Sequence, residues 1–149
     1  MLILTVVACF AGCATTSSYK NYISQDAACV KGHSAGFIDY VSAKESMVSI
    51  EAIDGIPTGG GAINGPYCFP PGKHNLKIST SSRATVSNVY LELQFDSAKK
   101  YELRSDLRGI SFILKLFDIT NTPEVMTTEY RVKVTSDQPT TFPIIIPTR

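Results

Sequence analysis

From residue 88 to residue 95 the side chains alternate without a break. Val89, Leu91, Leu93 and Phe95 are apolar, and Asn88, Tyr90, Glu92 and Gln94 between them carry polar groups. A period of two puts the two sets on opposite faces of an extended strand, one buried and one wet. The same short period recurs along the chain. Met47, Ser49, Glu51 and Ile53 alternate with Val48, Ile50 and Ala52 and run into a turn at Asp54-Gly55; His74, Leu76 and Ile78 share a face that should point inward. Tyr101-Glu102-Leu103 begins a further strand, and Ile110 to Ile119 is an apolar run able to cross the middle of a sheet. Tyr130, Val132 and Val134 alternate with Arg131, Lys133 and Thr135, and Phe142 to Pro147, flanked by prolines, suits an edge. Gly, Pro, Asn, Asp and Ser punctuate these segments, and no convincing amphipathic helix separates them. A doubly wound α/β fold needs such helices, so the expected class is all-β: a single antiparallel β-sandwich of about seven strands.

A chain of 149 residues holds one ordinary core. With 44% apolar and 18% charged residues it has the balance of a folded domain rather than a disordered one. The 14 Lys and Arg nearly cancel the 13 Asp and Glu and form no stripe, so the electrostatic footprint of nucleic-acid binding is absent.

The N-terminus carries a different signal. Leu2, Ile3, Leu4, Val6, Val7, Ala8 and Phe10 form a short uncharged apolar run that stops at Gly12, too short to span a bilayer. An apolar core followed by small residues has the form of a secretory signal; the usual basic residues before it are missing, as they would be if translation begins further upstream. Phe10-Ala11-Gly12-Cys13 resembles the bacterial lipobox, in which small residues precede a cysteine that takes diacylglycerol and becomes the mature N-terminus. Val6-Val7-Ala8-Cys9 is a second partial match with too little apolar length before it, and a buried apolar strand with two core cysteines is the plain alternative. The resemblance implies a signal peptide at 1–12, lipidation at Cys13 and a polar tether at 13–26, which leaves 27–149 for the β-sandwich that the strand pattern predicts. Ala14 stands where the lipoprotein sorting rule places Asp for inner-membrane retention, which points to the outer membrane.

Removing the signal leaves Cys29 and Cys68 in the folded part. In an oxidising compartment two cysteines favour one disulfide, with two separate buried thiols as the alternative.

Three segments occur in a familiar order: the strand ending at Ile53-Asp54-Gly55, the turn Pro70-Pro71-Gly72-Lys73-His74, and the strand ending near Phe95 that precedes Ala98-Lys99-Lys100-Tyr101. Together they resemble the small PEGA-like domains of bacterial envelopes. The resemblance covers residues 47 to 104, implies a β-sandwich, and carries no catalytic residues.

Gly32-His33-Ser34-Ala35-Gly36 fits the G-x-S-x-G nucleophile elbow, and Asp54 and His74 would complete the order Ser, Asp, His. Those positions are crowded into about 40 residues, where an α/β-hydrolase needs many more elements. A glycine-rich turn is the plainer reading, and no catalytic residue is assigned. Cys29, His33, Cys68 and His74 could converge on a metal, but export favours oxidised cysteines, so no metal or cofactor is assigned either. Gly59-Gly60-Gly61 lacks the Lys-Ser or Lys-Thr of a phosphate loop and reads as a mobile loop. Among the aromatic candidates for exposure, Tyr40, Tyr67, Phe69, Tyr90 and Tyr101, the pair Tyr67 and Phe69 beside that loop is a possible ligand contact; core packing explains it equally well. The expected function is a non-enzymatic envelope lipoprotein, facing the periplasm from the outer membrane, that contacts an envelope protein or glycan. The first alternative is a glycan or peptidoglycan-fragment binding module, and a hydrolase acting through Ser34 is the remote one.

Overall fold

The computed structural model describes residues 19–41, 46–59, 65–83, 85–133 and 144–145. In chain order the elements are β1 (Ala28–Lys31), α1 (Phe37–Val41), β2 (Met47–Ile53), β3 (Ile56–Pro57), β4 (Tyr67–Phe69), β5 (Gly72–Ser81), β6 (Val86–Phe95), β7 (Lys100–Arg108), β8 (Ser111–Asp118), β9 (Val125–Lys133) and β10 (Ile144–Ile145). They form two sheets packed as a sandwich. One is antiparallel, in the order β3-β2-β5-β6; the other runs β9-β8-β7-β1-β4, with the two residues of β10 added beside β9.

The period-two reading places its side chains as expected. In β6 the burial alternates residue by residue, with Val89, Leu91, Leu93 and Phe95 inside. In β5 Leu76 and Ile78 are buried, while His74 on the same face sits at the rim with its side chain 13% exposed. Leu103 and Phe112, Leu114 and Leu116 cover them from the other sheet. Each such side chain contributes about 1.5–3 kcal/mol when fully buried, so the interleaved faces hold the sheets together. Asp54 and Gly55, both with positive φ (49° and 79°), make the two-residue hairpin between Ile53 and Ile56, the geometry for which Asp-Gly is suited.

Three expectations need correction. The expected seven antiparallel strands become ten among the described residues, because β1, β3 and β4 are too short for a periodic signal. One sheet is mixed: β1 lies parallel to β7, with Cys29 opposite Lys100 and Lys31 opposite Glu102. The 13–26 tether does not extend through its described part, residues 19–26, which lie along the sandwich. The Tyr19 N–H donates to the Pro57 carbonyl at 3.1 Å and its hydroxyl to the Cys68 carbonyl at 2.8 Å. Tyr22 donates its N–H to the same carbonyl at 2.9 Å, the Asn21 side chain accepts the Cys68 N–H at 2.9 Å, and the Asp26 carbonyl accepts from Ala98 at 3.0 Å. Tyr19 also packs against the core, an amphipathic ring in an otherwise polar stretch. Burial, with the Asp54 charge second, pushes its phenol up to about 12.

Elsewhere the chain joins the two sheets through backbone. His33 and Val48 exchange two hydrogen bonds of 3.1 and 2.9 Å, and the Ser46 N–H donates to the Ser105 carbonyl at 3.2 Å.

Candidate functional site

Cys29 and Cys68 face each other directly on β1 and β4, with Cα atoms 4.1 Å apart, and are joined as a disulfide. Such close opposition is the spacing of a non-hydrogen-bonded antiparallel pair, which brings side chains together. Asn21 and Tyr22 lie over the link and line a recess beside it with Ile23 and Lys100. The two-thiol alternative is thereby removed, and with it the thiolates of the metal reading. No cluster of three potential metal ligands occurs among the described residues.

The Asp54-Gly55 turn, the Pro70-to-His74 turn and Tyr101 lie along one rim of the sandwich. His74 bonds to Asp54 through Nδ1 at 2.6 Å and to the Pro70 carbonyl through Nε2 at 2.8 Å. Its ring packs on Phe69 with centroids 4.4 Å apart, Phe69 packs on Phe95, and Phe95 on Tyr101. The other Asp54 oxygen accepts the Asn75 N–H at 2.8 Å, and the Tyr101 oxygen accepts the Asp96 N–H at 3.0 Å. One carboxylate thus ties the β2–β3 turn to β5, and one tyrosine ties the end of β6 to β7. Burial works against the Asp54 charge, but the His74 and Asn75 hydrogen bonds and the charge of His74 outweigh it and hold the carboxyl below its ordinary range.

This geometry does not assemble the Ser34 triad. Asp54 and His74 do meet, but the two His74 ring nitrogens are engaged by the Asp54 carboxylate and the Pro70 carbonyl. Ser34 is exposed between β1 and α1. His33, beside it, bonds instead to Glu102 at 2.9 Å.

Glu102 is the centre of a cluster that the sequence does not reveal. It is 7% exposed on β7 and accepts from His33 and from Arg104 at 2.5 Å, with Lys31 at 3.7 Å. Arg104 also bonds to Glu124 at 2.8 Å and lies over the Phe117 ring. Burial pushes the Glu102 carboxyl up, and His33, Arg104 and Lys31 together bring it below its ordinary value. The signal is the shared parity of Lys31 and His33 with Glu102 and Arg104, which becomes visible only once β1 and β7 are known to run parallel.

Three acids therefore sit below their ordinary pKa in the fold: Asp54, Glu102 and Asp118, the last brought to about 2 mainly by the Lys99 hydrogen bond and by Thr120. A depressed folded pKa means that the unfolded chain binds more protons, so stability rises with pH through this window and is lost as pH falls. The melting midpoint should be level above about pH 5 and should drop as acid approaches pH 2. Asp54→Ala should remove part of that drop and lower stability at neutral pH by about 1–2 kcal/mol, the value of charged hydrogen bonds discounted for a half-exposed group. Thermal melts of both proteins across this range check it; a midpoint that rises on acidification would contradict it.

The possible ligand contact at Tyr67 and Phe69 is corrected by burial. The two are 7% and 2% exposed, Tyr67 edge-on to Tyr19 and Phe69 between His74 and Phe95, so they are core residues. Tyr101 is buried as well, and Tyr40 is half-buried, donating to the Ser82 carbonyl. Of those five candidates Tyr90 is the one that is exposed, at 52%. It lines a shallow cleft of about 470 Å³ on the outer face of the four-stranded sheet with Glu51, Ala52, Pro57 and Lys77. Cys13 lies outside the described residues.

Fold and site together define a two-sheet, sandwich-like β domain closed by one disulfide. Compared with known proteins, the chain matches no family model, no curated protein and no solved structure.

Proposed function

We propose that this chain is a non-enzymatic lipoprotein of the bacterial envelope, held at the outer membrane by a lipid on Cys13 and facing the periplasm, with a PEGA-like sandwich that contacts another envelope component. The observation that carries this reading is the Cys29–Cys68 disulfide, because such links persist in oxidising compartments and are rare in a reducing cytosol. It agrees with the export and lipidation signal of residues 2–13. The PEGA-like part of the reading is supported by the Asp54–His74 contact and the Tyr101 turn, which use the residues that carry the resemblance. A fold held by apolar packing, with its histidines engaged in structural bonds, suits a rigid platform whose mechanism is contact. Cells fed an alkyne-tagged fatty acid should label the protein, and Cys13→Ser should abolish the label while Cys9→Ser keeps it. Labelling that survives Cys13→Ser, or no labelling, would sink the anchor.

The cleft at Tyr90 favours a second reading, a binding module for a glycan or peptidoglycan fragment. The Glu51 carboxylate accepts the Ser49 hydroxyl at 2.7 Å, and Lys77 lines the same cleft. An aromatic ring beside an acceptor and a donor is the chemistry that holds a sugar. Pull-down on purified peptidoglycan that is lost in Glu51→Gln would raise this reading above the first.

A further inference from the structure

We propose that the open edge of β6 pairs with β6 of a second copy of this chain, antiparallel, joining two four-stranded sheets into one. The strand stands last in the order β3-β2-β5-β6 and is held on its inner side by ten consecutive pairs with β5, without a register shift. Its outer side presents a row of N–H and C=O groups, and among the described residues no backbone hydrogen bond outside β5 reaches them. Water can satisfy such a row, but the protein element that matches it along its length is another extended strand.

Among the described residues the other edge strands are short or have backbone groups already taken, and β6 is neither. The three-residue β4 has the N–H and C=O of Cys68 taken by Asn21 and Tyr22. The two-residue β3 contains Pro57, whose carbonyl accepts from Tyr19. On the far sheet the edge strand among the described residues is β10, only two residues long, paired with β9. Proline, basic side chains, bulges and short length are the devices that keep an edge from pairing, and β6 has none of them over its ten residues. Its single charge, Glu92, is bonded to Lys73 on β5 at 3.0 Å.

The occupant is a second copy because the strand is complementary to itself. With a two-fold axis at Tyr90, near the strand's middle, Tyr90 meets Tyr90 of the second copy, Asn88 meets Glu92, and Val86 meets Gln94. No like charges are opposed, and an amide faces a carboxylate. On the core side Val89 meets Leu91. Val86 and Tyr90, 58% and 52% exposed in the single chain, become covered. A strand of this length would form about ten hydrogen bonds across the axis, the number that an ordinary stable interface carries. The two-fold closes on itself and generates no fibre.

This deepens the contact reading above and rests on it for the cellular role alone, since the pairing needs only the folded sandwich. The test is sedimentation of the full chain, extracted in mild detergent, at micromolar concentration. The wild type should be a dimer. Tyr90→Lys sets like charges against each other on an exposed position, so it should weaken the dimer by roughly tenfold or more and leave the melting of the diluted monomer unchanged. Tyr90→Cys should give an oxidised species of twice the mass, and Ile110→Cys, exposed on the turn of the other sheet, should not. A monomeric wild type overturns the proposal, as does a dimer indifferent to Tyr90→Lys that yields no Tyr90→Cys link. A lipidated monomer would end the pairing and keep the envelope reading; an unlipidated chain that pairs would do the reverse.

Discussion

Replacing both cysteines of the β1–β4 link, as Cys29→Ala with Cys68→Ala, should lower the free energy of unfolding by about 4 kcal/mol. The link joins residues separated by 39 positions, and in the chain-entropy account closing a loop of that size removes about this much freedom from the unfolded chain. A domain of this size has on the order of 5–15 kcal/mol in total, so the loss is a large share. The elements it joins are also poorly placed to survive alone. β4 has three residues and β1 has four, and the segment at Tyr19 to Tyr22 is hung on Cys68 by three hydrogen bonds. Denaturant titrations with and without reductant check the value. Wild type under reductant should match the double variant, and a difference below about 1 kcal/mol between oxidised and reduced protein would contradict the account.

Gly32→Ala should cost about 3 kcal/mol, at the upper end of what overpacking costs. A Cβ at this position would collide with the Val48 carbonyl oxygen and come within 3.0 Å of its carbon and 3.4 Å of the Ser49 Cα. These are backbone atoms, with no rotamer to turn away. Relief therefore means opening the His33–Val48 bridge where the chain passes from one sheet to the other. Gly36→Ala is the control: the nearest atom there is the tip of the Asp39 carboxylate at 3.4 Å, and the change should stay within about 1 kcal/mol. The pair separates two accounts of Gly-His-Ser-Ala-Gly. A nucleophile elbow needs both glycines for its turn, whereas a sheet crossing needs Gly32 alone. Parallel thermal melts decide it, and a Gly32→Ala protein as stable as wild type would mean that the crossing is placed wrongly.

The strands legible in the sequence are those with room for alternation. β6 shows five polar or exposed positions interleaved with five buried ones, and β5, β7 and β8 are long enough to repeat the pattern. β1 and β4 offer two buried positions each, fewer than any period can declare, so the mixed sheet and everything built on it stayed hidden. The Glu102 cluster is the clearest case, being assembled by a parallel pairing that no local pattern encodes. Tyr67 and Phe69 misled through their neighbours: the glycine loop drew them toward the surface. Yet both flank Cys68, and once Cys68 turns outward to meet Cys29, the period of two sends its neighbours inward. The same parity marks Tyr90 as exposed. The segment from Tyr19 was read as tether from its polar composition, which is blind to a tyrosine that packs its ring against the core and keeps its hydroxyl bonded.

The proposed export, lipidation and oxidation of one small domain are tested most directly by the intact mass of the native protein extracted from membranes. Measured without reductant and again after reduction and alkylation, the mass should equal residues 13 to 149 plus acyl chains, with two further alkyl groups appearing only after reduction. An unprocessed chain without lipid, taking up alkyl groups at Cys29 and Cys68 before any reduction, would contradict it.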